Sequence, residues 1–289
     1  MIHRELGKTG VQLPIIGLGT WQYRGGVQPL RAGVALGACF IDTAESYGTE
    51  EVVGEAIQGV RNKVFVATKV APRHFKHSRL IRSANESLRR LQTDYIDLYQ
   101  LHWPNYTVPI EETMGAMEDL VDSGKVRFIG VSNFMLHDLR NAQKALRKHP
   151  IVSNQVRYNL IDRTIEPRLL HYCQEQNIGV IAHSPLATNL TKIQEMDPNN
   201  VLSRLAKAKS GTPAQIAINW CCSKPGVLTI PKANSERHVR ENSIACDIQL
   251  STQELQFLDA KVRFRRRGWF EIEMRRLARH MLQLVGKNQ

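Results

Sequence analysis

The chain has 289 residues, 42% hydrophobic and 23% charged, with a formal net charge of +12. That composition can bury a sizeable core, and it excludes disordered and collagen-like chains. No apolar run is long enough to span a bilayer, the opening MIHRELGKTG is too polar for a secretory signal, and five cysteines without a CxxC pair read as reduced thiols in a cytoplasmic protein.

The opening segment HRELGKTGVQL carries Gly7 and Gly10 around Lys-Thr and predicts a β-hairpin. Eight apolar, β-rich runs follow: 14–19, 39–44, 64–70, 95–102, 126–132, 152–159, 179–185 and 226–232. Helical patterns alternate with them near 50–58, 77–93, 110–122, 136–148, 167–176, 212–222 and 236–245. In the second of these, Ser78 is placed to cap, and Leu80, Ala84, Leu88 and Leu91 recur at helical spacing. The stretch from 28 to 37 reads ambiguously.

Strands joined by crossover helices pair in parallel, and eight such units predict an α/β fold of the (β/α)8 TIM-barrel type. An open doubly wound sheet is the competing architecture. No linker or shift of composition divides the chain, so residues 1–289 read as one domain, atypical from about 260 onward.

The ends of the strands are where barrel chemistry collects. The second strand ends in Asp42, with Tyr47 in the loop beyond it; the third carries Lys69 and the fourth ends in His102. Residues two apart share a face, so Phe40 aligns with Asp42, Ala67 with Lys69, and Gln100 with His102. A phenol is a weak acid at neutral pH, and a lysine held beside it by a carboxylate is expected to lower its pKa. His102 can donate to a carbonyl oxygen. The set suits proton delivery to a carbonyl under reduction. Trp21, Tyr23 and Trp103 lie near the same strand ends and suggest an apolar wall for a small carbonyl substrate. No metal ligands stand out.

These stretches, with LGKTGVQLPIIGLGTW, FIDTAESYG, VFVATKV, DYIDLYQLHWP, GKVRFIGVSNF, NQVRYN, SPL and IPKA, resemble the aldo-keto reductase family from about residue 2 to 258. The resemblance implies an eight-stranded barrel and NADPH-dependent reduction of aldehydes or ketones, with NADH as the other cofactor to consider. Carried over by position, the catalytic tetrad is Asp42, Tyr47, Lys69 and His102. Ser132, Asn133 and Gln155 would hold the nicotinamide carboxamide, and Ser184 and Leu186 would approach the pyrophosphate. Lys232 would face the ribose 2′-phosphate, while Glu241 and Asn242 would lie near the adenine. GLGTWQ lacks the third glycine of a dinucleotide fingerprint and reads as tight backbone at a strand end.

The chain departs from the family at three points. His183 stands where a nicotinamide-stacking tyrosine is common. His238 replaces an arginine that often meets the 2′-phosphate, with Arg237 adjacent as a possible substitute. The tail is unusual: from Arg263 onward, seven Arg and one Lys oppose only Glu271 and Glu273, which accounts for half the net charge. There Phe270, Met274, Leu277, Met281 and Leu284 recur at helical spacing. A helix packed on the barrel is the simplest reading, with a subunit contact, a partner, an anionic surface or a polyanion as alternatives. Nucleic acid is not expected, since no recognition module is present. A non-catalytic redox sensor that keeps the nicotinamide site is the competing function.

Overall fold

The structure, a computed structural model, describes residues 1–285. Strands β1 (His3–Glu5) and β2 (Gln12–Pro14) form the antiparallel hairpin. Leu6 and Leu13 pack with Phe40, Phe65, Leu98, Ile181 and Leu228 in one apolar cluster. Gly7 lies against Val152 and Asn177, so the hairpin plugs the end where the strands begin.

Eight parallel strands follow: β3 (Leu18–Gly19), β4 (Phe40–Asp42), β5 (Phe65–Val70), β6 (Ile96–Leu101), β7 (Val126–Ser132), β8 (Ile151–Arg157), β9 (Gly179–His183) and β10 (Val227–Thr229). Each pairs with the next. The parallel bridge Ile16 to Thr229, with Thr229 N donating to Ile15 O at 2.8 Å, joins first to last and closes a barrel. Closure explains Gly19: a Cβ there would lie 2.5 Å from the Ile230 carbonyl oxygen.

Alternation along the strands splits the core in two. Phe40, Phe65, Ala67 and Leu98 fill the barrel, whereas Ile41, Val66 and Tyr99 face the helices outside. The ambiguous stretch is a helix, Val27–Ala35, and helices at Leu190–Glu195, Val201–Ala208 and Thr252–Lys261 add to those expected. The helix His77–Leu91 starts after Lys76 with no side-chain cap, so Ser78 sits inside its first turn rather than capping it.

The tail packs on the barrel with its faces reversed from the usual amphipathic rule. The chain crosses the mouth as Arg265 N donates to Ile161 O at 2.9 Å and Arg163 N to Arg265 O at 3.0 Å. It then forms a helix, Trp269–Leu284. Ile272, Arg276, Arg279 and Gln283 lie along one face at spacings of 4, 3 and 4, and all line the cleft at the mouth. Gln283 clamps the loop after β6, accepting from Tyr106 N at 2.9 Å and donating to Pro104 O at 2.9 Å. The opposite face is the apolar stripe, with Phe270 71%, Met274 50%, Leu277 56% and Met281 64% exposed. The mouth offers a carboxylate, carbonyls and an indole face, which is why the polar side docks there.

Candidate active site

A lysine ammonium with no exposed surface needs a partner, and Lys69 has two. Its Nζ donates to Asp42 Oδ2 at 2.6 Å and to the Thr43 carbonyl at 2.8 Å. Asp42 is held in turn by Gln155 Nε2 at 2.6 Å and Gln100 Nε2 at 3.2 Å. Gln100 shares a strand face with His102, so the same alternation that picked out His102 marked it as well. Burial alone would lower the Lys69 pKa, but Asp42 and Tyr47 more than offset it, and the ammonium is held above its ordinary value. Lys69 is therefore a fixed cation under the mouth.

Tyr47 ends the 3₁₀ turn Glu45–Tyr47 and leans over that cation, with Nζ 4.9 Å from its ring centroid. Its hydroxyl lies 3.3 Å from His102 Nε2, and the two rings meet edge-on at 5.3 Å. The expectation of a lowered phenol pKa is corrected here. Burial raises it more than Lys69 lowers it, and Asp42 adds to the rise. The group is thus a protonated donor at neutral pH, with Lys69 limiting how far burial pushes it.

His102 is neutral, its pKa lowered to about 3 by burial, then by Lys69 and His183. Ser46 Oγ lies 3.3 Å from His102 Nδ1; with the hydroxyl donating there, Nε2 carries the hydrogen and faces the same point as the Tyr47 hydroxyl. Two donors 3.3 Å apart can share one carbonyl oxygen. A pH profile tests this assignment. Since His102 takes up its proton only near 3, kcat/KM should show no inflection between about 5.5 and 7.5. A step in that window which disappears in His102→Gln would show that the imidazole titrates there.

A cleft of about 2060 Å³ runs across the mouth from this cluster, larger than a small-molecule pocket requires. Along its floor Asn133 donates to the His102 carbonyl and to Ser132 Oγ, both at 3.0 Å. Its Oδ1 lies 3.2 Å from His183 Nε2, and Ser184 Oγ lies 3.1 Å from His183 Nδ1. The His183 ring is therefore pinned by both edges, and it lines the cleft. It is neutral, its pKa lowered to about 3 by burial, then by Lys69 and Arg157. Asn133, Ser184, Ala187 and Thr188 all hold left-handed φ values between 54° and 72°. Such strain, concentrated at the ends of β7 and β9, is typical of a built site.

Among the remaining expected residues, Gln155, Leu186, Lys232, Trp21 and Trp103 line the cleft. Arg237 and His238 are exposed and contact each other at 3.0 Å, on the helix Glu236–Ser243 with Glu241 and Asn242. This helix lies beyond the cleft's described lining. Tyr23 is not brought to the site. It is buried in the core layer with its hydroxyl donating to Gly26 O at 2.7 Å, so it packs the loop instead of walling a substrate. Arg276 and Arg279, which sequence reasoning did not single out, reach the cleft from the tail. Among the described residues no cluster of His, Cys, Asp and Glu could hold a metal ion, and no helix is long and apolar enough to cross a membrane.

A barrel whose mouth joins a lysine-backed phenol, an imidazole and a long cleft defines a carbonyl-handling oxidoreductase. The Aldo/keto reductase family profile matches residues 15–263, and the chain belongs to that family. It is 42% identical over 259 residues to the methylglyoxal reductase YeaE of Escherichia coli, covering 86% of this chain and 91% of that protein. It is 36% identical to a glyoxal reductase of Bacillus subtilis, covering 87% and 90%. An aldo-keto reductase of Klebsiella pneumoniae solved in complex with NADPH superposes with a TM-score of 0.86 at 40% identity, covering 92% of this chain and 98% of that one.

Proposed function

We propose that Tyr47 gives the proton, and Lys69, Asp42 and His102 support it, in the NADPH-dependent reduction of aldehydes or ketones to alcohols by this enzyme. The observation that carries this reading is the 3.3 Å approach of the Tyr47 hydroxyl to neutral His102, above the Lys69–Asp42 pair. A carbonyl oxygen accepting from both donors is polarised, and as negative charge builds on it Tyr47 transfers its proton. NADPH, when bound, supplies the hydride.

The residues present fit that cofactor. A carboxamide needs an acceptor and a donor, and Gln155 keeps Oε1 free of hydrogen bonds among the described residues while Ser132 retains its hydroxyl proton. The Asn133 amide is engaged within the protein, so its part is to position Ser132 and His183. The neutral His183 face can lie beside a nicotinamide ring without repelling its oxidised, cationic form. The loop of Ser184 and Leu186 would line the pyrophosphate. Lys232, with Arg237 able to swing from its 3.7 Å contact with Glu241, would take the 2′-phosphate. Glu241 and Asn242 would border the adenine.

Oxidation of NADPH and NADH against a panel of 2-oxoaldehydes, aromatic aldehydes and ketones tests the reading. NADPH is expected to be favoured at least tenfold in kcat/KM, with Lys232→Gln narrowing the gap. Absence of carbonyl-dependent oxidation across the panel would leave the redox-sensor reading in its place. Five unpaired thiols support a cytoplasmic setting. The outward stripe of the tail helix is the surface where a partner, a second copy or an anionic surface would seat.

A further inference from the structure

The cleft is strongly basic: nine Arg and Lys side chains line it against three carboxylates. A field of that sign draws anions toward the mouth. Most of the nearby arginines are neutralised locally. Arg276 faces Asp138 at 3.7 Å and Glu273 at 3.1 Å, Arg266 holds Glu166 at 2.6 Å, and Arg267 holds Asp162 at 3.0 Å. Arg140 and Arg168 face solvent.

Arg279 differs from both groups. It is half-buried, and among the described residues it makes no hydrogen bond or ion pair. Its guanidinium lies 3.9 Å over the ring centroid of Trp103. Stacking fixes the plane of the guanidinium but uses none of its N–H donors, which leaves a rigid fork suited to a carboxylate. Burial pulls its pKa below the ordinary value, with Tyr106 and Asp138 opposing that only in part. Trp103 directly follows His102, and Gln283, one turn beyond Arg279, clamps the Trp103-bearing loop through Pro104 and Tyr106. The helix is thus tied to the same loop that carries a member of the catalytic pair. This also accounts for its basic face lying inward.

We propose that Arg279, seated on Trp103, receives a carboxylate of the substrate, so that the enzyme selects aldehydes that carry an acid group apart from the reacting carbonyl. The inference rests on the carbonyl reduction described above.

Para-carboxybenzaldehyde and para-nitrobenzaldehyde have nearly the same shape, and only the first is charged. The ratio of their kcat/KM values, compared between variants, cancels the difference in their intrinsic reactivity. In Arg279→Met the carboxy-to-nitro ratio is expected to fall about ten- to a hundredfold, the range of a lost charge-assisted pair. The change should lie in KM, with Arg279→Lys recovering part of it and added salt weakening the wild-type ratio. Arg89→Gln, at an exposed arginine outside the cleft and paired with Glu86 at 3.1 Å, should leave the ratio as it is. An identical ratio in wild type and Arg279→Met, with the nitro compound still turned over, overturns this proposal alone. Failure of the wild-type enzyme to turn over either aldehyde while it reduces other members of the panel overturns this proposal, and failure across the whole panel overturns the carbonyl reduction with it.

Discussion

Tyr47→Phe should lower kcat for carbonyl reduction by about two to four orders of magnitude, the range of a positioned general acid, and leave NADPH affinity close to wild type. The ring itself has structural neighbours that phenylalanine keeps: the edge-on contact with His102 at 5.3 Å and the Lys69 ammonium 4.9 Å from its centroid. Only the hydroxyl is lost. No nearby group can stand in for it. His102, with a pKa near 3, is neutral at pH 7 and a very weak proton donor in that form, and Lys69 is fully buried beneath the ring. Single-turnover rates beside a fluorescence titration of NADPH separate chemistry from binding. A variant that reduces a good substrate at close to the wild-type rate would remove Tyr47 from its role.

Period-two alternation made much of this site readable before any coordinates. Asp42, Lys69 and His102 sit at the ends of three successive strands, and a strand leaves little freedom in which face a residue takes. Gln100 was within the same reading and needed only the question of what holds Asp42. Other features depend on packing that no local pattern carries. The helix Val27–Ala35 holds Gly33, a poor helix former, because a Cβ there would meet the Leu18 side chain at 2.7 Å. The sign of the Tyr47 shift turns on desolvation, which is set by everything folded around the hydroxyl. Tyr23 sits two residues from Trp21, yet one is buried and the other 46% exposed. In the tail, periodicity showed two opposed faces without showing which one docks. An apolar stripe normally turns inward, but a mouth ringed by Asp138, the Pro104 carbonyl and the Trp103 face accepts arginine and glutamine instead.

Asp42→Asn is expected to destabilise the fold by about 3–5 kcal/mol, the cost of stranding one member of a buried ion pair. It should also reverse the response of stability to pH. In the wild type, the Lys69 pKa is raised above its unfolded value, so the pair stabilises fully below about 10.5 and is lost only as pH climbs through the folded value. With asparagine at position 42, the lowering of the Lys69 pKa by burial is no longer countered by the carboxylate. The Thr43 carbonyl remains as its main partner. The folded pKa then drops below the unfolded one, and the unfolded chain binds the extra proton. Between the two values stability must rise with pH, the opposite of what the lysine does in the wild type. Urea midpoints from pH 6 to 9 read this directly, as the slope of the variant's stability minus that of the wild type. A positive difference supports a lysine kept charged by Asp42. Parallel curves would mean that the ammonium stays charged without Asp42, which would remove the carboxylate from its role of keeping a fixed cation beneath the phenol.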